Sequence, residues 1–577
     1  MRNLIHALVV AMATCLAAAA AAAADPGPIQ VSGQSATTSQ QAAAASSATQ
    51  VDPSNKNISI RVLSPGNDGP VTQSNSVGSS AAAGNQSSTG QSANQAASGS
   101  GIQSSQQEAG TDQVAAALSA AAQFDPSNKN VGIRVLSPGG DGSVTQSNNA
   151  GSRADAGNAS STTQSDSQSQ AGSSCGCSGS TPIQTSDQSA STDQTAAALS
   201  AAKQVDPSNT NVSIRVLSPG DGGSVSQSND AASSAAAGNR AATTQGASQS
   251  QSGGCGCSGD AIQTANQAAG TEQDALAASL AAQIDPSNDA SPVRVLSPGN
   301  DGSVNQSNNA ASSALAGNSA ATTQNASQSQ AGESCRCGDG LGIQALGQQA
   351  DTQQSSAALS ATLQLFGDEH SRCGCGGSSS GNNASPVRVW SPGSDGSVDQ
   401  SNNAESSAIA GNRAATSQDG VQSETGSGIQ VLGQQAATEQ VAFAASLAAQ
   451  IDPSNDASPV RVWSPGGGGS VTQSNRAASS ATAGNDAWTG QSGRQSIAGK
   501  PCGCAQLPIQ VAGQWAGTAQ LAPVFSAVLQ ASPENDASGT SVWSPGTADS
   551  LAQSDWAGSR GDAENAARSA QGVSQAA

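Results

Sequence analysis

The residues best equipped for chemistry are cysteines. Beyond Cys15, every cysteine sits in a Cys-x-Cys pair: Cys175 with Cys177, Cys255 with Cys257, Cys335 with Cys337, Cys373 with Cys375, and Cys502 with Cys504. In an exported chain such pairs read as disulfides, formed within a motif, between neighbouring loops or between chains; spacing does not choose among these connectivities. A soft thiolate pair for a metal is the competing reading, and a redox role lacks its βαβ context. The carboxylates that follow Ser-Pro-Gly (Asp68, Asp141, Asp221, Asp301, Asp395) come one per turn. That is too few for the roughly six to eight oxygens Ca²⁺ takes, so they read as Asx-turn formers. A series of arginines (Arg61, Arg134, Arg215, Arg294, Arg388, Arg461) is either a stripe for anionic glycans or a set of partners for those aspartates. Trp390, Trp463 and Trp543 replace a leucine of earlier copies and read as edge packing. His6 lies in a processing segment, which leaves His370 as the only histidine beyond it. His-dependent triads and His-rich zinc sites therefore lack parts. No catalytic residue, metal or cofactor is expected, and the chain reads as a non-enzyme.

Composition limits what could position such residues. Over 577 residues, charged side chains are 10% and aromatics 2%, with no Tyr. Average soluble chains carry about 25% charged residues. Most of the apolar fraction is Ala, so a conventional core of large side chains cannot be assembled. Collagen is excluded because Gly and Pro show no Gly-X-Y period. What remains is a repetitive fold that packs small and amide side chains, or a largely disordered low-complexity chain with Ala-rich helical segments. The formal charge of −20 offers no footprint for nucleic acid. Residues 1–24 read as a signal peptide: Arg2, an apolar run over Leu4 to Met12, and small residues from Ala17 to Ala24. No later run approaches the roughly 18 apolar residues of a membrane helix, so the mature chain is expected to be secreted or at the cell surface and not membrane-spanning.

The chain repeats itself. Ser-Pro-Gly, preceded by Leu or Trp, recurs with its Pro at 65, 138, 219, 298, 392, 465 and 545, and Ile-Gln opens each copy at Ile29, Ile102, Ile183, Ile262, Ile343, Ile429 and Ile509. Seven tandem units follow: 25–101, 102–182, 183–261, 262–342, 343–428, 429–508 and 509–577. Each unit holds two long segments. In the second, one parity is held while the other drifts: Gln306, Asn308, Ala310, Ser312, Ala314, Ala316, Asn318, Ala320, Thr322 and Gln324 match Gln227 through Gln245 and Gln400 through Gln418 position by position. The first segment behaves alike, from Gln263 to Gln283 and from Gln430 to Gln450. That is period 2, the mark of strands with one constrained face. Helix competes in the first segment, where Leu276, Leu280 and Ile284 are spaced by four and Ala, Leu, Gln and Glu are good helix formers. The predicted fold is all-β, a solenoid-like stack of strand-turn-strand coils. Each segment, being longer than ordinary strands, is expected to bend at Gly-Asn, giving two coils per unit, about fourteen coils and a rod of order 70 Å. Inside it, Gln227, Asn229, Asn239, Gln245, Gln306, Asn308, Asn318, Gln324, Gln400, Asn402, Asn412 and Gln418 should stack as amide ladders.

Gly238-Asn239-Arg240-Ala241-Ala242-Thr243-Thr244-Gln245 resembles the second half of a curlin repeat, the unit of bacterial curli fibres. The motif Gly-Asn-x-Ala-x3-Gln recurs at Gly317 to Gln324, Gly411 to Gln418 and Gly484 to Gln491, with Ser for Ala in the copies at Gly84 and Gly157. The resemblance implies stacked strand-turn-strand units in a secreted, amyloid-like fibre. The unit here is near 80 residues rather than the low twenties, and Gln306 lies twelve residues before Asn318. The functional expectation is a secreted structural repeat protein that forms or decorates extracellular or cell-surface fibres, through self-association or cell-surface components. The alternative is a non-enzymatic module that presents Thr rows, such as Thr243-Thr244 and Thr322-Thr323, to ice or glycan from a monomeric solenoid. In the exported protein the Cys-x-Cys thiols should be oxidised: titration of unreduced, metal-free protein should find almost none, and ten free thiols would revive the metal reading.

Overall fold

The computed structural model describes residues 28–99, 101–171, 181–252, 260–331, 341–367, 380–426, 428–498, 508–547 and 550–576. Residues 1–24, read from the sequence as a signal peptide, and His370 lie outside them. So do all the disulfide candidates: Cys175 and Cys177, Cys255 and Cys257, Cys335 and Cys337, Cys373 and Cys375, Cys502 and Cys504. The first unit contributes three strands, β1 (Ile29–Val51), β2 (Ser54–Val62) and β3 (Val71–Ser98). Every later unit repeats this order and pairs with its predecessor in parallel, residue over equivalent residue: Ile29 over Ile102, Asn55 over Asn128, Val71 over Val144. Three parallel sheets result, and one circuit of the chain visits each once.

One unit of about 80 residues is therefore one rung, and the solenoid has seven rungs rather than fourteen coils. At about 4.8 Å per rung the stack is roughly 29 Å from first to last strand, not 70 Å. The expected bend at Gly-Asn does not occur: Gly84-Asn85 lies inside β3, whose 28 residues run as one strand. The inward face of these long strands is packed along its whole length against the facing sheet, and each strand is paired along its length with its neighbours. The first segment is also strand, and no helix occurs among the described residues.

The chain turns elsewhere, at two corners built from left-handed residues. One is the Asp of Asp-Pro (Asp52, φ 50°); the other is the Leu or Trp before Ser-Pro-Gly (Leu63, φ 52°; Trp390, φ 51°). Pro then presets its own φ and removes a donor that a corner cannot use. The glycine of Ser-Pro-Gly is obligatory for a second reason. At Gly220 (φ 137°) an added Cβ would lie 2.3 Å from the Gly139 carbonyl oxygen of the rung below.

The first and third sheets face each other. Their inward parity holds Ala, Ser, Thr, Gln and Asn, with an alanine seam running through the stack (Ala115, Ala154, Ala196, Ala235, Ala277, Ala316, Ala408, Ala444). Small side chains bring the sheets close enough for amides on one to reach the backbone of the other. Gln30 donates to the Ala96 carbonyl at 2.9 Å and Gln34 to that of Ser92 at 2.8 Å. A carbonyl oxygen has two lone pairs, so it serves its own sheet and the facing amide together.

Candidate functional site: buried ladders and open ends

Each inward amide must satisfy two N–H groups and an oxygen with almost no water at hand, and the stack does this with translation. In one column Asn229 donates to Asn308 at 2.9 Å, Asn308 to Asn402 and Asn402 to Asn475 at the same distance. In the next, Asn239 donates to Asn318 and Asn318 to Asn412 at 3.0 Å. Gln306 donates to Gln227 at 2.8 Å and Gln400 to Gln306 at 2.9 Å; Gln324 donates to Gln245 at 2.8 Å and Gln418 to Gln324 at 2.7 Å. All twelve amides expected to stack are buried. The second N–H runs across the sandwich, as from Gln245 to the Ala268 carbonyl at 2.8 Å and from Asn239 to that of Asp274 at 2.6 Å. Polarity is opposed: glutamines donate toward the first rung, asparagines toward the seventh.

The fixed parity also contained a feature that reading by residue type missed. The serines Ser46, Ser79, Ser119, Ser152, Ser200, Ser233 and Ser279, continuing through Ser312, Ser360, Ser406, Ser446 and Ser479 to Ser526, alternate between the two facing sheets. Their hydroxyls form one unbroken chain at 2.8–3.0 Å. Each interior hydroxyl donates once and accepts once, which a column of identical hydroxyls on a single sheet would not require.

The arginines are inside as well, which excludes the glycan stripe. Arg134, Arg215, Arg294 and Arg388 are at most 1% exposed. Arg134 pairs with Asp68 at 2.8 Å and Asp141 at 2.9 Å, Arg215 with Asp141 at 2.6 Å, Arg294 with Asp301, and Arg388 with Asp301 at 3.1 Å. Glycine carbonyls take further donors, Gly66 from Arg134 and Gly220 from Arg294, both at 2.8 Å. Burial pulls the Arg215 and Arg388 guanidinium groups below their ordinary value, against the raising pull of Asp141 and Asp301. The Asx-turn role assigned to the aspartates is thus corrected at Asp68, Asp141, Asp301 and Asp395, which face this column. Asp221 stands one residue earlier in its turn and accepts from the Asn300 N–H instead. Among the described residues no cluster could hold a metal ion.

Trp390, Trp463 and Trp543 stack on one another, with centroids 5.1 and 5.3 Å apart, on the exposed corner. Thr243 and Thr322 point inward while Thr244 and Thr323 point out, so only half of each pair is on the surface. No helix among the described residues is long and apolar enough to cross a membrane. The chain matches no family model, no curated protein and no solved structure.

One buried acid breaks the pattern. Glu424 follows Gln170, Gln251 and Gln330 in an inward column. Its Oε2 and the Gln330 Oε1 are both buried without a donor, and burial pushes the Glu424 carboxyl up to about 7.

The ladders and this acid can each be tested by one substitution. Asn239→Asp removes the donor to Asn318 and buries a charge, at a cost of roughly 3 kcal/mol or more. Arg240→Ala, on the outward parity, should stay within about 0.5 kcal/mol. Limited proteolysis and urea unfolding compare them, and equal resistance would refute the ladder's energetic role. For Glu424, the folded value lies above the unfolded one, so the folded state holds the extra proton between about pH 4.5 and 7. Stability should be full below that window and fall as pH rises through it, by on the order of 3 kcal/mol. Glu424→Gln should flatten that part of the pH–stability curve; an unchanged slope would remove Glu424 as its source.

Proposed function

We propose that the protein is an exported, non-catalytic structural subunit that polymerises by seating the first rung of one copy on the seventh rung of another. The observation that carries this reading is the complementarity of the two ends. Among the described residues, rung one leaves Gln30, Gln34 and Gln40 without a lower rung to donate to, and Asn55 and Asn85 without one to accept from. Rung seven carries the counterparts: Gln510, Gln514 and Gln520 as acceptors, Asn535 and Asn565 as donors. Two asparagine columns are mismatched. Asp555 ends that of Asn75 and has no amide to donate, and Ala537 ends that of Asn57. Charge agrees with the stacking, because Lys56 of one copy would meet Asp536 of the next. The faces left open are long strands, β1 and β3 at one end and Ser550–Ala576 at the other, which are templates for pairing unless capped. A head-to-tail contact of this kind does not close and yields a filament. The curlin-like Gly-Asn motif agrees with such an assembly.

Purified mature protein should form filaments with a meridional repeat near 4.8 Å. Lys56→Asp should slow elongation and Asp536→Lys in the same chain should restore it. A chain that stays a monomeric rod at high concentration would overturn the reading, and ice or glycan binding by that rod would favour the surface-binding alternative.

A further inference from the structure

The second sheet is turned inside out. Its inward parity carries Asn55, Asn57, Ser59 and Arg61, while Ile58, Ile60 and Val62 point outward; they are more than half exposed on this terminal rung, and their equivalents on interior rungs are part-exposed. The pattern continues in register up the stack. One outward column runs Ile60, Ile133, Ile214, Val293, Val387, Val460, Thr540, and the next is Val at every rung from Val62 to Val542. The corner column Leu63, Leu136, Leu217, Leu296, Trp390, Trp463, Trp543 borders them, held at φ 48–52° and exposed throughout. Bulky residues at positive φ are strained, and such strain persists only where the surroundings impose it. The face is about 30 Å along a strand and 29 Å along the stack, of the same order as the ~800 Å² per partner of a standard interface. Within it the columns of Ile60, Val62 and Leu63 form a continuous apolar strip beside the charged column that starts at Lys56, and an apolar strip rimmed by charge marks an interaction surface.

Charge and bulk on this face are graded along the stack. A third outward column reads Lys56, Lys129, Thr210, Asp289, Asn383, Asp456, Asp536, basic at the first rungs and acidic at the last. The Ile-to-Thr column thins toward the seventh rung, while the Leu-to-Trp column thickens. A surface graded in this way complements itself when inverted.

We propose that two copies associate through the outer faces of their second sheets, related by a two-fold axis along the strands, so that their stacking axes are opposed. Rung one then faces rung seven, and rung two faces rung six. Lys129 meets Asp456 twice over, Leu136 meets Trp463, and Ile60 meets Thr540, so each thick layer faces a thin one. β-branched columns in register interdigitate as two packed sheets about 10 Å apart. A two-fold along the stacking axis would instead set like rung beside like rung and leave the charge gradient uncancelled. At the centre, rung four places Asp289 beside its own copy, the one repulsive contact of this column. The interface lies on the side of the solenoid and does not rest on end-to-end growth.

The test uses interior rungs, which end-to-end stacking does not bring together. In carbodiimide-treated mature protein, an intermolecular Lys129–Asp456 link should be found by peptide mass spectrometry. Lys129→Glu should weaken lateral association about tenfold or more, read by sedimentation of short species or by the loss of paired filaments in micrographs. Adding Asp456→Lys to that chain should restore it, and Asp289→Asn should strengthen it. Single-width filaments with no Lys129–Asp456 link would overturn the lateral interface and leave the stacking reading intact. Laterally paired rods without filaments would do the opposite. A dimer indifferent to Lys129→Glu would overturn the inverted arrangement.

Discussion

A buried primary amide has to place two N–H donors and a carbonyl oxygen, and in a dry interior an unplaced one costs about 1–3 kcal/mol. Every larger feature of this molecule follows from that demand. An amide can satisfy an identical amide only if the two are related by translation of about 4.8 Å along the hydrogen-bonding direction, which is the spacing of parallel strands in register. The ladders therefore dictate in-register pairing, and in-register pairing dictates that each unit be one full rung. A slip by one residue would turn Asn239 outward and bring Arg240 between the sheets, so register is specified even though Ala on either face is nearly indifferent to it.

The same logic explains why a chain poor in aromatics can hold a core. Alanine buries little area, so the hydrophobic contribution per residue is small. What Ala, Ser and Gly supply instead is closeness. With side chains this short, Gln and Asn on one sheet span the gap to the backbone of the other, and the serine hydroxyls meet midway. Larger residues enter this interior only locally, as where Leu346 and Leu432 fill space beside Ala265 and Ala326. Acids enter at a cost: burial raises the Asp166 carboxyl, eased by the Ser186 and Ser105 hydroxyls, and that of Glu424 has no such relief. Asp555 replaces an asparagine in the seventh rung, where solvent reaches it.

Period 2 and the inward parity were legible in the residues themselves, because drift at Arg240, Ser319 and Arg413 beside constancy at Asn239, Asn318 and Asn412 can arise only if one face is constrained. The number of coils was not legible. Gly-Asn looks like a bend, and strands beyond ten residues are uncommon. Nothing local distinguishes an extended glycine from a turning one. One true corner rests on Leu or Trp in a conformation those residues rarely adopt, so their propensities point away from it; the other rests on Asp, which tolerates it. Pairing of the arginines with the nearby aspartates was one of the two readings the residues offered, and the ion pairs bear it out; that they point inward was not legible. An isolated Ile-Arg-Val reads as a strand whose charge faces water, and only the neighbouring Ser-Pro-Gly turn, folding Asp68, Asp141 and Asp301 back over the column, makes the inward choice tolerable.

A buried arginine column must be matched by carboxylates and carbonyls arriving from the turn, which commits the inward face of the short sheet to polar groups. Its β-branched residues are then left outside, because alternation offers them no other side. The apolar outer face is thus a by-product of the ion-pair column as much as a surface in its own right. The two long sheets differ: their inward parity is given mainly to amides, Ala, Ser and Thr, and their outward parity mixes Ser, Ala, Gly and charges with exposed apolar residues such as Leu118, Leu199, Leu280 and Leu447. Among the described residues the stack ends in strand edges at both ends, and β-branched columns occupy one narrow side. The inward demands of amides and of arginine thus decide, sheet by sheet, which side chains are left for the outer surfaces.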